Sequence, residues 1–293
     1  MRNILITGGT GLIGFSAVRL LLQKGVRVYS IVREPMRVTV EHKNLIQIPI
    51  DLNSFSWTSD LPQDIDIVCH LAQSRHFREF PGRAKDVFNV NVRTVQMLLD
   101  FATISGARKF VLGSSGAVYA KSIEPLGEDS ALQSVENSNY YTGTKLCAEL
   151  LASCYRSLFD VVVLRYFFVY GDGQNEQMLF PRLIQAIKQQ EPIKLSGRDG
   201  MRFNPTYVED AAAATVAACI EFEGSCNFNV AGNSIHTMRD ACEILGEHIG
   251  RRPMFEAGGD GESSFVAENS RMRAFLFPTP ATFADGVSRT LQP

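Results

Sequence analysis

MRNILITGGTGLIGF, Met1–Phe15, is the stretch on which the fold turns. Ile4, Leu5 and Ile6 form a continuous apolar run, as a strand buried on both faces of a parallel sheet requires. Gly8, Gly11 and Gly14 follow at once, and an apolar-periodic stretch through Leu22 then reads as a helix. Glycines at such points let the backbone turn sharply, approach a pyrophosphate closely and pack helix on strand. The free N–H groups and positive dipole end of that helix would face phosphates. A tight strand-to-helix turn is the bland alternative, but the strand before and the helix after are the setting a dinucleotide site demands.

The spacing is G-x-x-G-x-x-G, where ordinary dehydrogenases carry G-x-G-x-x-G. With Thr7 in front, it resembles the T-G-G-x-G-x-I-G opening of the extended short-chain dehydrogenase/reductase family. The resemblance implies cofactor contacts at Gly8, Gly11, Leu12 and Ile13.

At 293 residues, 45% apolar and 20% charged, the chain has the composition of an ordinary soluble globular protein with a large core. A net charge of −2 gives no reason to expect nucleic acid or an anionic membrane as partner. No apolar run approaches the roughly 20 residues of a membrane span. The N-terminus enters a strand directly, so no signal peptide is expected and cytoplasm is the default. Cys69, Cys147, Cys154, Cys219, Cys226 and Cys242 are scattered without C-x-x-C and mostly in apolar surroundings, which points to buried reduced thiols. The histidines show no ligand-like pairing, and no metal is expected.

Val26 to Val32 reads as a second strand. NAD-binding enzymes usually place an acid at its end to bind the ribose 2′-OH. Here Ser30-Ile31-Val32-Arg33 stands instead, with Arg37 nearby, and an arginine pairs with a 2′-phosphate. The expectation is therefore NADP(H) in preference to NAD(H), against the alternative that Arg33 decorates a surface loop. Leu45 to Ile50 is a third strand, ending in Asp51-Leu52, whose carboxylate suits an adenine amino group. Ile65 to Leu71 is a fourth, running into Leu71, Ala72 and Gln73, where small residues let the sheet edge approach the cofactor. Ser74 to Pro81 reads as an active-site loop, with Ser74 a candidate substrate contact. Asp86 to Ala102 has helical periodicity, and Asn91 within it suggests a water or backbone contact and a place near the cofactor. Phe110 to Leu112 is a fifth strand that delivers Gly113-Ser-Ser-Gly-Ala-Val-Tyr119 to the carboxyl edge, where ligands bind in an open α/β sheet.

Tyr141-Thr-Gly-Thr-Lys145 opens a helix. Residues i and i+4 share a face, so the phenol and the ammonium can converge. A nearby ammonium and a nicotinamide's positive charge favour a phenolate, turning a poor base into a usable one. Tyr140 is the wrong-register candidate, with Thr144 four residues on. Behind the glycine-rich start and an S-S-x-x-V-Y strand end, the set resembles the Ser–Tyr–Lys catalytic residues of the same family, which land on Ser115, Tyr141 and Lys145. Ser115 would also touch the substrate oxygen.

Val161 to Leu164 is another buried strand. Arg165-Tyr-Phe-Phe-Val-Tyr-Gly171 resembles the L-R-x-x-N-V-Y-G segment of nucleotide-sugar epimerases and dehydratases, which lies beside the nicotinamide. Phe168 stands where those enzymes usually carry an asparagine that contacts the substrate diphosphate. Arg202-Phe-Asn-Pro-Thr-Tyr-Val-Glu-Asp210 resembles the R-x-x-x-Y-V-x-D stretch whose arginine pairs with the pyrophosphate. Arg202 is a candidate for that role, or a solvated surface arginine. Helices are expected over Phe180–Gln190, Ala211–Ile220 and Met238–Ile249, with a final strand at Asn227–Ala231 and a flexible break at Gly258–Gly261.

The expected architecture is α/β: a Rossmann-like, doubly wound parallel sheet with a small discontinuous C-terminal substrate-binding lobe. The cofactor domain would span 1–167 with 205–230 returning to it, and the lobe 168–204 and 231–293. The resemblance implies an NAD(P)-dependent nucleotide-sugar epimerase/dehydratase-like enzyme, a nucleotide-diphosphate sugar as substrate, and a homodimer. Two other readings stay open. One is an NADPH-dependent carbonyl reductase of the dihydroflavonol-reductase type, which Ile31–Pro35 and Phe168 would suit; the other is a non-catalytic NADP(H)-binding sensor or scaffold.

Overall fold

The computed structural model describes residues 2–34, 42–54, 56–259 and 263–292. Arg37, Pro35 and the Asp260–Gly261 part of the expected break lie outside them. Strand β1 (Asn3–Thr7) leads through the glycine turn into α1 (Leu12–Gln23), then β2 (Arg27–Val32), β3 (Leu45–Pro49) and β4 (Ile67–His70). Helices α2 (Ala84–Phe88) and α3 (Thr94–Ile104) are joined by one wide π turn over Asn89–Arg93, so the expected single helix carries an extra residue in its middle. Strand β5 (Lys109–Ser115), helix α4 (Tyr140–Ser153) and strand β6 (Asp160–Tyr166) complete the first half.

The second half interleaves short elements: β7 (Val169–Tyr170), α5 (Leu179–Gln189), β8 (Pro192–Leu195), β9 (Arg202–Phe203), β10 (Thr206–Tyr207) and α6 (Val208–Ile220). After them come β11 (Cys226–Val230), β12 (His236–Thr237), α7 (Met238–Ile249), β13 (Met254–Ala257), β14 (Ser264–Phe265), α8 (Ser270–Phe275) and α9 (Phe283–Leu291). The α7 boundaries coincide with expectation, and physical signals explain why. Thr237 and Asp240 close a capping box at one end, and Gly250, at φ +74°, terminates the other.

Seven parallel strands form the central sheet in the order β11-β6-β5-β4-β1-β2-β3. The chain therefore runs outward from β1 to β3, returns to β4 on the other side of β1, and runs outward again. This reversal leaves a crevice at the carboxyl ends of β1 and β4, the place where open α/β sheets bind ligands. One face of the sheet is covered by α1, α6 and α8, through Val18, Leu21, Ala211, Ala214 and Met272. The other is covered by α3 and α4, through Val95, Leu98, Leu99, Ala148 and Ala152. Each Val or Leu so enclosed contributes roughly 1.5–3 kcal/mol of hydrophobic free energy. Lys109 caps the far end of α6, its ammonium donating to the carbonyls of Ala218 at 3.2 Å and Cys219 at 3.4 Å.

A further apolar cluster, built on Tyr170, Phe180, Ile187, Phe203, Leu245 and Phe283, packs α5, α7 and α9 together above the crevice. Two buried asparagines tie this part to the sheet. Asn204 Nδ2 donates to the carbonyls of Gly232 (3.0 Å) and Ala267 (2.9 Å), while its oxygen accepts from Ala267 N at 2.9 Å. Asn269 Nδ2 donates to Ala231 O (2.9 Å) and Gly232 O (3.0 Å), just past β11. No helix among the described residues is long and apolar enough to cross a membrane.

Candidate active site

The glycine turn is forced by its neighbours. Gly8 sits at φ +73°, and a Cβ there would lie 2.6 Å from the Ala72 nitrogen. A Cβ on Gly14 would lie 2.0 Å from the Gly8 carbonyl oxygen, so α1 could not close on the turn. Gly11 is the N-cap of α1 and brings no side-chain acceptor, which leaves the first-turn N–H groups open to a ligand in the crevice. The Thr7 hydroxyl braces the turn from below, accepting from Ala72 N at 3.2 Å and lying 2.8 Å from His70 Nδ1. Burial, with the Lys145 charge as a second cause, pushes the His70 pKa down to about 3, so the imidazole is neutral.

Around the turn opens a cleft of about 800 Å³. Of the residues singled out from sequence, Gly8, Gly11, Leu12, Ile13, Arg33, Asp51, Leu52, Leu71, Ala72, Gln73, Ser115, Tyr141 and Lys145 all line it. Arg33 and Asp51, at the ends of β2 and β3, form one extremity, and Ser115, Tyr141 and Lys145 belong to another wall.

Helix α4 begins where Asn139 Oδ1 accepts from Thr142 N at 2.9 Å, and this cap fixes the register of the tyrosine and the lysine. The Tyr141 hydroxyl donates to Gln73 Oε1 at 3.1 Å and packs its ring 5.0 Å from that of Phe77. Tyr140 points elsewhere, donating to Ala84 O at 3.0 Å and stacking on Phe80 at 4.7 Å, which removes it as the alternative. The Lys145 ammonium is buried and donates to the Gly113 carbonyl at 2.9 Å. Desolvation pulls its pKa down to about 8, against the opposing pull of the Glu149 carboxylate.

Of the two charges expected to favour the Tyr141 phenolate, the Lys145 ammonium is not among the groups that lower its pKa in the chain without cofactor. Burial pushes the phenol up, and only a hydrogen bond with Ser115 and the charge of Arg78 act in the other direction. Lys145 is turned to the strand carbonyl instead. Ser115 Oγ also accepts from Ala117 N at 3.2 Å, which holds it at the tip of β5.

Four expected site residues lie off the cleft wall. Asn91, displaced by the π turn, accepts from Ser74 N at 3.1 Å and donates to Thr144 Oγ1 at 3.1 Å; it anchors the loop to α4. The backbone contact read into its mid-helix position is thus present. Ser74 is itself buried, with its hydroxyl donating to Asp86. Phe168 adopts φ +41°, unusual for a bulky residue, and its ring packs 5.0 Å from Phe203 and 5.7 Å edge-on to Phe265. Arg202 is exposed on β9, its backbone N–H donating to Ser263 O at 2.8 Å. Residues not singled out include Arg75, Val90 and Tyr166 on the cleft, and Arg78, whose guanidinium donates to Gln177 O at 3.2 Å. The arginine-rich run of the 74–81 loop was the available signal for the first and last of these.

A nicotinamide dinucleotide fits this donor set. The helix-end N–H groups at Gly11 are open to a phosphate, and the same cleft offers the Asp51 carboxylate, the Tyr141 phenol and the Lys145 ammonium. Sheet order, glycine turn and site together define an extended short-chain dehydrogenase/reductase. The chain belongs to the NAD dependent epimerase/dehydratase family, whose model matches residues 4–231. It is 29% identical over 233 residues to UDP-glucuronate 4-epimerase of Thermodesulfobacterium geofontis, an alignment covering 74% of this chain and 72% of the other. It is 24% identical over 300 residues to the low-salt glycan biosynthesis protein Agl12 of Haloferax volcanii, covering 97% and 96%. Among solved structures, MoeE5 in complex with UDP-glucuronic acid and NAD superposes with TM-score 0.82 at 28% identity, covering 98% of this chain and 97% of that one. UDP-glucuronic acid 4-epimerase from Bacillus cereus, with the same ligands, gives 0.83 at 25% identity and the same coverage. The protein is thus an enzyme of this family with a nicotinamide cofactor.

Proposed function

We infer that the chain acts on a nucleotide-diphosphate sugar by reversible hydride transfer, with Ser115, Tyr141 and Lys145 as its catalytic residues. The observation that carries this reading is their place on the wall of the cleft that also holds the glycine turn. Tyr141 takes the proton from a sugar hydroxyl while the hydride leaves the same carbon, and Ser115 orients the reacting oxygen. Bound oxidised nicotinamide supplies the hydride acceptor and the positive charge that offsets burial of the phenol. The same Tyr141 would return the proton to the oxygen when the reaction runs back, so the residues serve both directions. Lys145 holds the ribose side of the cleft. The two solved structures named above, in complex with UDP-glucuronic acid, support this substrate class.

NADP(H) is the cofactor this reading favours. β2 ends at Val32, and the next residue, where an acid is usual, is Arg33, which lines the cleft with Glu34 beside it and whose charge also acts on Asp86. A homodimer through the helical segment bearing Asn91 and through α4 is supported by exposed apolar side chains on each, Phe88 and Leu150. Sedimentation at two protein concentrations tests it.

The activity is tested by thermal shift with NAD and NADP, each combined with UDP, GDP or dTDP. A further rise with one nucleoside diphosphate names the carrier, and none with any of them overturns the sugar reading. A second reading, reduction of an apolar ketone by NADPH, is favoured by one observation: Phe168, at the position where the resemblance leads one to expect an asparagine, packs its ring with Phe203 and Phe265. Stabilisation by NADP alone, with consumption of NADPH on an aryl ketone, would establish it.

A further inference from the structure

Glu149 lies one helical turn beyond Lys145 on α4, nine-tenths buried beneath the cleft. Arg165, on β6, grips it with two parallel bonds: Nη2 to Oε2 at 2.7 Å and Nε to Oε1 at 3.1 Å. Ser114, the neighbour of Ser115 on β5, donates its hydroxyl to the same carboxylate. The guanidinium is fixed in turn, donating to Tyr119 OH at 2.7 Å and Glu128 O at 3.1 Å. One carboxylate thus joins α4, which carries Tyr141 and Lys145, to β5, which carries Ser115, and to β6, and the Tyr119 ring lies 4.7 Å from the guanidinium carbon.

Stability alone gives little reason for such a pair. Desolvating two charges costs about what their attraction returns, and apolar residues of equal volume often serve as well. The position of this pair, one helical turn from the lysine and bonded to the neighbour of Ser115, is what distinguishes it. We propose that Glu149 is a positioning residue for Lys145, locking one turn of α4 to β5 and β6 so that the ammonium stays seated against the Gly113 carbonyl. The proposal rests on the catalytic reading of Lys145 given above.

The surroundings of Lys145 make the consequence measurable. On α4 it faces Tyr141 and Glu149; on β4, His70, which is neutral; on β5, Gly113 O and two serines; on β6, Arg165, spoken for by Glu149, and Tyr166, whose phenol burial pushes well up. On α2, Asp86 is tied to Ser74 and Asn53. Of these, Glu149 is the charge that favours the ammonium against desolvation.

The test follows the lysine without substrate. In protein labelled at lysine Cε, the Lys145 resonance is assigned by its loss in Lys145→Met and titrated by two-dimensional NMR. A midpoint near 8 is expected in the unaltered protein. Glu149→Gln should lower it by about one pH unit, since a close opposite charge is worth about 1–3 units. If that variant does not fold with Arg165 left alone, Glu149→Gln/Arg165→Met is compared with Arg165→Met, so that the like charge is absent from both, and should have the lower midpoint. An unchanged midpoint in either comparison overturns the proposal, because a purely structural role would alter melting and leave the titration in place. Failure of the sugar reading would show in turnover and ligand panels and would not touch this measurement.

Discussion

The Tyr141 hydroxyl donates to the Gln73 side-chain oxygen across 3.1 Å, from the first turn of α4 to the loop after β4. The phenol is thereby held as a donor over the cleft, and an entering substrate hydroxyl would take the place of Gln73. Tyr141→Phe removes the proton acceptor and leaves the ring packed on Phe77. Turnover should fall by about 10²–10⁴-fold, the usual weight of a general acid–base group. Cofactor affinity, measured by fluorescence titration, should hardly change; full turnover in the variant would sink the mechanism.

Arg33 decides the cofactor if its guanidinium meets a 2′-phosphate. Charge-assisted bonds of this kind are worth about 1.5–3 kcal/mol, or roughly tenfold to a hundredfold in affinity. Arg33→Asp should weaken NADP binding by that factor and strengthen NAD binding, as read by calorimetry. Equal effects on both cofactors would mean that Arg33 is only a surface residue.

Gly14 tests the turn. An added Cβ would meet the Gly8 carbonyl oxygen at 2.0 Å, and that atom belongs to backbone that is itself at φ +73°. Nothing flexible can move aside, so Gly14→Ala should displace the start of α1, costing at least about 1–3 kcal/mol. Loss of cofactor-induced stabilisation should exceed the drop in melting temperature of the free protein. Gly25, with nothing within 4 Å of a built Cβ, is the control for space, although its φ of +74° keeps some strain there.

His70 sets an acid limit to stability. Its folded pKa of about 3 lies below its ordinary 6.5, so the unfolded chain binds more protons between those values. Its contribution is flat above pH 6.5 and is lost as pH falls, by about 2 kcal/mol at pH 5 on the usual conversion. Chemical denaturation from pH 7 to 5 should therefore show a smaller loss in His70→Gln than in the unaltered protein. Parallel pH curves for the two would refute this.

Much of the body could be read because its signals are local. The Ile4–Ile6 run, the glycine spacing and the i, i+4 relation of Tyr141 and Lys145 each depend on a few adjacent residues, and each stands where expected. Side-chain direction was less accessible. The π turn rotates Asn91 towards Ser74 and Thr144, and no periodicity announces such an insertion. Lys145 points at a strand carbonyl that spacing along one helix says nothing about. The two-residue strands β9, β10, β12 and β14 are too short for any alternation, and they exist because distant chain segments pair. Arg202 illustrates the same limit: its motif marks a residue type, and the register of β9 sends it away from the cleft.

The asparagines beyond the sheet bear on where this molecule ends as a folding unit. The family-matched stretch stops at Ala231, yet Asn269 reaches back to the carbonyl of that residue, and Ala267 completes the bonds of Asn204. Met272 and Leu276 of the same region close the apolar layer over β11 and α6. A gene truncated after codon 231 would keep the recognisable motif and lose the cover of its edge strand. Residues beyond the family-matched stretch therefore supply cover that the matched part needs to bury its own edge.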